Sequence, residues 1–288
     1  MTARTVLTVG SLHYDIMVEA DHLPRRDETA VGTRWYPKFG GKGGNQAVSV
    51  AKAGVPSRIC SAVGADEFGT FLRAQLRAGG VEDGAVTTVA GVGSGMSVAI
   101  MEAGGDYAAT IVSGANLHID PAALETEALW QGVGLLVLQN EVPEAINLDA
   151  CRQARARGIR TLLNAAPARH LAPELTALID ILVVNAVEAE MMGADEVCCL
   201  LSAVEATKRL ADRFESVIVT AGALGLAGMG ADDLVFSIPA EKVQVVSSHG
   251  AGDAFIGALA AATVQGVPFE EAARLASQAA ARHVAGLV

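Results

Sequence analysis

Short β-branched apolar runs recur along the chain with amphipathic helical segments between them, and this alternation constrains the fold more than any other feature. The predicted strands cover residues 6–9, 57–63, 135–138, 160–163, 181–184 and 216–220. Strands that alternate with helices pair in parallel, and helices cover both faces of their sheet. The pattern therefore predicts a three-layer α/β/α fold with a mostly parallel central sheet.

Two stretches, residues 11–39 and 95–113, interrupt this alternation. The second is typical of a β-hairpin, with a turn at Ala103-Gly104-Gly105-Asp106 between residues 96–101 and 107–112. Two such antiparallel segments could pair into one small sheet over the carboxyl ends of the parallel strands, where ligands bind in open α/β folds. We expect a single domain over residues 1–288 with these segments inserted as a β lid.

Composition argues against several classes of protein. The formal net charge is −11, and no basic run carries interleaved aromatics, so nucleic acid is not expected as a partner. The N-terminal apolar stretch is too short for a signal peptide and no run has the length of a membrane span, so we expect a soluble, cytoplasmic protein without a membrane partner. The cysteines, which are Cys60, Cys151, Cys198 and Cys199, lack metal-ligand spacing and are expected to be reduced.

Residues 247–253, with the sequence SSHGAGD, precede an apolar helical run and direct backbone amides and one carboxylate to a single point. Gly250 and Gly252 lack a Cβ, so the backbone can turn sharply and approach a ligand. The first amides of the helix would attract an anion such as a phosphoryl group, and Asp253 is placed to accept the proton of an attacking hydroxyl. Considered alone, an N-cap aspartate after an ordinary glycine-rich turn explains the segment equally well.

Residues 39–47, with the sequence FGGKGGNQA, form a second glycine cluster at the start of a helix predicted to end at Gly54. The cluster is not a Walker A loop, because Lys42 is followed by Gly43, and the dinucleotide-binding pattern fails at Gln46. Backbone, a cation and an amide side chain nevertheless converge here, as polyhydroxylated substrates require. Without the other cluster, a tight turn would be the commoner explanation.

Together the two clusters resemble the signatures of the ribokinase-like carbohydrate kinases, the B-type phosphofructokinase superfamily, and are nearest to those of its ribokinases. That family carries G-G-K-G-x-N near its N-terminus and D-T-x-G-A-G-D near its C-terminus, in the order found in this chain. Further matches lie at Gly10-Ser11, Asp15, Gln139-Asn140-Glu141, residues 164–169, residues 185–190 and Thr220-Ala221-Gly222.

The resemblance implies a kinase that uses ATP and Mg²⁺ to phosphorylate a primary hydroxyl of a small sugar. It makes Asp253 the general base and places the anion hole at Gly250, Ala251, Gly252 and the amide of Asp253. The sugar would be held by His13, Asp15, Gly41, Lys42, Asn45 and Glu141. The nucleotide would be bound by Asn185, Thr220, Gly222, Gly225 and Gly252, and Glu188 would help to place water around Mg²⁺. In this family the lid also forms the contact of a homodimer.

Four departures from the family pattern bear on the cofactors and the acceptor. Ser247 replaces an aspartate associated with a bound monovalent cation, and the R-x-G-A-x-x-x-x-P tail is missing before Val288, so activation by K⁺ is doubtful. Ala186 replaces the first glutamate of the N-E-x-E pattern. His13 replaces an asparagine; it is bulkier and can be cationic, which could favour a different or acidic sugar, or it could be a lid residue without influence on the substrate.

Several alternatives stay open on the sequence alone. Nucleosides, fructose or its phosphates, and 2-keto-3-deoxygluconate are other acceptors within the same chemistry, although 4% aromatic content argues against base stacking. A sensor that binds a sugar or nucleotide without phosphorylating it is an alternative of another class, motivated by Ser247, but the intact turn before Asp253 argues against it. A dehydrogenase is disfavoured because the dinucleotide-binding pattern is absent.

Overall fold

The computed structural model describes residues 4–102 and 107–287. The strands are β1 (Thr5–Val9), β2 (His13–Ala20), β3 (Gly32–Gly40), β4 (Ser57–Gly64), β5 (Val81–Val89), β6 (Met96–Glu102), β7 (Tyr107–Val112), β8 (Val133–Gln139), β9 (Arg160–Asn164), β10 (Ile181–Asn185), β11 (Ser216–Thr220), β12 (Gly225–Met229) and β13 (Val235–Pro239). The α-helices are α1 (Lys42–Lys52), α2 (Glu67–Ala78), α3 (Pro121–Glu125), α4 (Glu127–Trp130), α5 (Glu144–Ala156), α6 (Pro173–Thr176), α7 (Ala186–Met191), α8 (Leu200–Ala211), α9 (Ala251–Val264) and α10 (Phe269–Val284).

A nine-stranded sheet with the order β13-β12-β11-β10-β9-β8-β1-β4-β5 forms the centre of the fold. Its strands from β11 to β5 pair in parallel, whereas β12 pairs antiparallel with both β11 and β13 and so runs opposite to the other strands of this sheet. Successive residues of a strand face opposite sides: Val6 packs into the core shared with α9 and α10, and Leu7 into the core shared with α5 and α8. The predicted three-layer α/β/α fold is confirmed.

A four-stranded sheet with the order β3-β2-β6-β7 contains strands from both segments that interrupt the alternation. Each segment contributes an antiparallel pair, but the two segments join through β2 and β6, which are parallel. The predicted hairpin turn at 103–106 lies outside the described residues, although its flanking strands pair as expected. The small second sheet that was predicted as a lid is therefore present, and Asp15 faces inward from it.

The helix predicted to end at Gly54 is α1. Its last helical residue is Lys52, and Gly54 follows the C-cap with a left-handed φ of 80°. In the part of the chain that the structure describes, no helix combines the length and apolar composition needed to cross a bilayer.

Candidate active site

The two glycine clusters meet at the carboxyl ends of the parallel strands, where the first turns of α1 and α9 lie side by side. Gly41 begins α1 with a φ of 86°, and Gly43 faces the loop after β1. A Cβ on Gly43 would lie 2.6 Å from both the carbonyl carbon of Gly10 and the amide nitrogen of Ser11. Only glycine allows this contact between backbones, which brings Asn45 to Asp253.

Asp253 lies in the first turn of α9 and accepts two hydrogen bonds from α1. Asn45 Nδ2 donates to Oδ2 at 3.2 Å, and Gln46 Nε2 donates to Oδ1 at 3.0 Å. Burial raises the pKa of Asp253 to about 6, although Lys42 and the two amide donors oppose the rise. A carboxylate with such a pKa can take up a proton near neutral pH.

The N-terminus of α9 follows Gly250, which adopts a left-handed φ of 84°. The Ala251 amide donates to the Ser248 carbonyl at 3.3 Å, whereas the amides of Gly252 and Asp253 have no acceptor among the described residues. A Cβ on Gly252 would meet nothing within 4 Å. Two amides without an acceptor among the described residues therefore lie in the same turn as the Asp253 carboxylate, which suits an anion. The third predicted donor, the amide of Ala251, is already engaged.

Glu141, two residues after the end of β8, is hydrogen-bonded to the glycine cluster of residues 39–47. Its Oε2 accepts from the Lys42 amide at 2.9 Å and from the Ser11 hydroxyl. The Lys42 ammonium lies 4.0 Å from Oε1, and His13 Nδ1 lies 4.0 Å from Oε2. Glu141 thus holds the start of α1 in place, and its Oε1 is the oxygen left for a ligand.

His13 and Asp15 point inward from β2. The buried Asp15 accepts from the Ser97 hydroxyl at 2.6 Å and lies where a Cβ on Gly40 would clash with it. Burial lowers the pKa of His13 more than nearby Glu141 and Asp15 raise it, so its imidazole is neutral near pH 7. This shift disfavours the cationic form of His13 that the sequence left open. Its Nε2 is buried without a hydrogen-bond partner among the described residues, which leaves this nitrogen available to a ligand.

The predicted nucleotide residues lie at the ends of neighbouring strands. Asn185 and Thr220 are paired in the register of β10 and β11, and the Thr220 hydroxyl donates to the Val184 carbonyl at 3.3 Å. Gly222 adopts a φ of 55°, and its Cβ position faces open space. Gly225 has a packing role of its own, because a Cβ there would lie 2.1 Å from the Ile238 carbonyl oxygen.

Glu188 caps its own helix. Its Oε2 accepts from the Asn185 amide at 2.9 Å, and the Asn185 side chain accepts from the Glu188 amide at 2.8 Å. Burial raises the pKa of Glu188, with Lys42 and Asn185 opposing the rise. The described residues contain no cluster of three or more His, Cys, Asp or Glu that could hold a metal. Oxygen donors such as Glu188 suit Mg²⁺ that keeps most of its waters, so the donor set fits an ion held largely by phosphates.

Sequence reasoning did not identify Gln46 and Gln139 as site residues. Gln46 contacts Asp253, and Gln139 contacts Gln46 from the end of β8. The only signal for Gln46 was its place in the glycine cluster beside Asn45. A cavity of about 480 Å³ opens at Asn45 and Asp253 between α1 and α10, so the carboxylate is accessible to a ligand.

The sequence profile of the pfkB family carbohydrate kinases matches residues 3–285. The chain is 30% identical over 282 residues to the ribokinase of Haemophilus influenzae, covering 96% of this chain and 91% of that protein. It is 31% identical over 284 residues to the deoxyribokinase of Salmonella typhi, covering 98% and 92%. The structure of Arabidopsis thaliana ribokinase complexed with ribose and ATP superimposes with a TM-score of 0.91 at 28% identity, covering 98% of this chain and 93% of that one.

Proposed function

The chain belongs to the pfkB family of carbohydrate kinases and is an ATP-dependent phosphotransferase that acts on a sugar hydroxyl, and from that premise we propose that it phosphorylates a primary hydroxyl of ribose or a closely related sugar. One observation carries the proposal. The Asp253 carboxylate, held by two amide donors, lies in the same helical turn as the backbone amides of Gly252 and Asp253, which have no acceptor in the part of the chain that the structure describes. A base and an anion site side by side are what attack of a hydroxyl on a phosphoryl group needs.

In the proposed reaction, Asp253 takes the proton of the sugar hydroxyl as its oxygen attacks the γ-phosphorus of ATP. The bond from the γ-phosphorus to the bridging oxygen breaks, and ADP leaves. The amides of Gly252 and Asp253 stabilise the charge on the transferring group, with Lys42 as the nearby cation. Mg²⁺ bound with ATP would supply positive charge that offsets the charge of the phosphates. Glu188 and Asn185 are the residues proposed to orient its waters.

The charge of the acceptor pocket supports a neutral sugar. Among the residues proposed to hold the sugar, the two carboxylates of Asp15 and Glu141 outnumber the one ammonium of Lys42, and burial disfavours the cationic form of His13, so a sugar acid would meet more negative than positive charge there. The residues proposed to hold the hydroxyls are His13, Asp15, Gly41, Lys42, Asn45 and Glu141. Because the reaction consumes ATP, the proposal also places the protein in the cytoplasm.

ADP release measured against pentoses, hexoses, keto-deoxy acids and nucleosides tests the acceptor. We expect the highest kcat/KM with D-ribose or 2-deoxy-D-ribose, and a preference for a keto-deoxy acid or a nucleoside would contradict the proposal. Running each assay with and without K⁺ tests whether a monovalent cation activates the enzyme. We expect little dependence on K⁺, because Ser247 provides no carboxylate.

The activity should depend on pH through Asp253. Its pKa of about 6 predicts that kcat/KM falls tenfold per pH unit below that value, because the protonated carboxyl cannot accept a proton. A pH profile of kcat/KM at low ATP and sugar concentrations measures this decrease, which is the acidic limb of the profile. A profile that stays flat down to pH 4.5 would mean that another group is the base.

We also propose a homodimer formed through the lid sheet. The register places Trp35 beside Val18, and Val18 beside Ile100, on the face of the lid opposite Asp15. The Trp35 side chain is 64% exposed, which leaves an apolar face open to a second copy. Trp35→Glu should convert the dimer to a monomer in light scattering after gel filtration. Leu201→Glu, at a residue 71% exposed on α8, is the matched control, and a wild-type monomer would contradict the proposal.

A further inference from the structure

Two buried carboxamide side chains link the end of β8 to Asp253. Gln139 Nε2 donates to Gln46 Oε1 at 2.8 Å, and Gln46 Nε2 donates to Asp253 Oδ1 at 3.0 Å. Both glutamine side chains are completely buried. Water therefore does not compete for these bonds, and each amide is held by its neighbours alone.

The orientation of the Gln46 amide decides whether it stabilises the ionised or the protonated form of Asp253. A carboxamide can present either its NH₂ group or its oxygen to a carboxylate, and only the NH₂ group favours the ionised form. Because Gln139 donates to the Gln46 oxygen, the Gln46 NH₂ group is left to face Asp253. Turning Gln46 over would place two donors against each other at Gln139 and two oxygens against each other at Asp253.

Gln139 is closely packed at the end of β8. Its backbone carbonyl accepts from Asn147 Nδ2 at 2.8 Å. Its Oε1 is buried without a partner among the described residues and lies 2.0 Å from where a Cβ on Gly10 would be. An unsatisfied buried oxygen is costly, so a glutamine at this position calls for a role that offsets the lost hydrogen bond.

We infer that Gln139 is a positioning residue that acts through Gln46 to keep Asp253 ionised and in the rotamer that accepts the substrate proton. The inference rests on the proposed role of Asp253 as the general base. Other charged groups face the same carboxylate: Lys42 favours its ionised form and Glu141 disfavours it. The other charged or titratable groups that line the cavity at Asp253 are Lys38, Lys52, His249, Arg282 and His283. The test must therefore change the amide chain, meaning the hydrogen-bonded side chains of Gln139 and Gln46, and leave these charged residues unchanged.

Gln46→Met and Gln139→Met remove the donors with little change in side-chain volume. We expect Gln46→Met to move the acidic limb of kcat/KM upward by about one pH unit, and Gln139→Met to move it upward by roughly half as much. In the double variant, Gln139→Met should add nothing to the shift of Gln46→Met, because Gln139 acts only through Gln46. Gln139→Leu replaces Gln139→Met if the latter does not fold.

Thr207→Val is the matched control, because it removes a buried hydrogen bond to the Ala203 carbonyl on α8 without touching the site. It should lower the free energy of unfolding and leave the acidic limb of kcat/KM at the wild-type pH. A limb unchanged by Gln139→Met, or shifts that add in full in the double variant, would overturn the inference. Asp253→Asn separates the two proposals: if it stays active, the base is wrong, whereas an inactive Asp253→Asn with an unmoved limb in Gln139→Met makes only the amide chain wrong.

Discussion

Asp253→Asn is expected to lower kcat by about 10² to 10⁴ while the protein stays folded. The amide has nearly the same shape as the carboxylate but cannot accept the proton of the attacking hydroxyl. Its NH₂ group would also meet the donor of either Asn45 or Gln46, so the side chain would lose one of its two hydrogen bonds. Steady-state kinetics at saturating ATP and sugar measure the loss, and thermal unfolding checks the fold.

Asp195→Asn is the control for that substitution, because Asp195 is exposed in the segment between α7 and α8. It should leave kcat and stability unchanged. If Asp253→Asn turns over at near the wild-type rate, Asp253 is not the base and the proposed mechanism fails. If it loses activity only because it unfolds, Asp253→Glu tests the same role, since it keeps the carboxylate and displaces it.

Gly43→Ala should reduce both stability and activity. The new methyl group would lie 2.6 Å from backbone atoms of Gly10 and Ser11, and backbone cannot move aside as a flexible side chain can. We expect a loss of about 1–3 kcal/mol in the free energy of unfolding. Because α1 carries Asn45 and Gln46 to Asp253, a shift of about 1 Å in the start of α1 should also lower kcat/KM by roughly 10²-fold.

Gly84→Ala is the matched control for Gly43→Ala, since a Cβ at Gly84 in β5 meets nothing within 4 Å and this residue does not adopt a positive φ. It should leave activity unchanged and stability equal or slightly higher. Urea unfolding and kcat/KM of the two variants give the comparison. Equal behaviour of Gly43→Ala and Gly84→Ala would show that the contact between α1 and the loop after β1 does not hold the site together.

The alternation of strands and helices was enough to predict the central sheet, because parallel strands buried on both faces are continuous apolar runs. The strands β5, β12 and β13 were not predicted. β5 alternates buried with exposed positions and includes Glu82, Asp83 and Gly84, and β12 has two glycines in five residues. Such sequences carry little strand preference, and their pairing comes from neighbouring strands.

The positions of both glycine clusters at helix starts could also be predicted, because glycine turns and helix N-termini are local features. Contacts between distant residues could not. Gln139 and Gln46 are 93 positions apart, and no local pattern relates them. The charge of His13 depends on burial under the lid, and the engagement of the Ala251 amide depends on where the Ser248 carbonyl points. These properties exist only once the chain is folded.

The most direct test of the proposed function compares ADP release from ATP and Mg²⁺ with D-ribose and with 5-deoxy-D-ribose, which lacks the primary hydroxyl. Phosphoryl transfer to that hydroxyl predicts steady turnover with ribose and only the background rate with the deoxy sugar, together with a sugar phosphomonoester in the ³¹P NMR spectrum of the ribose reaction. Equal ADP release with both sugars, or none with ribose while ATP still binds, would contradict the proposal.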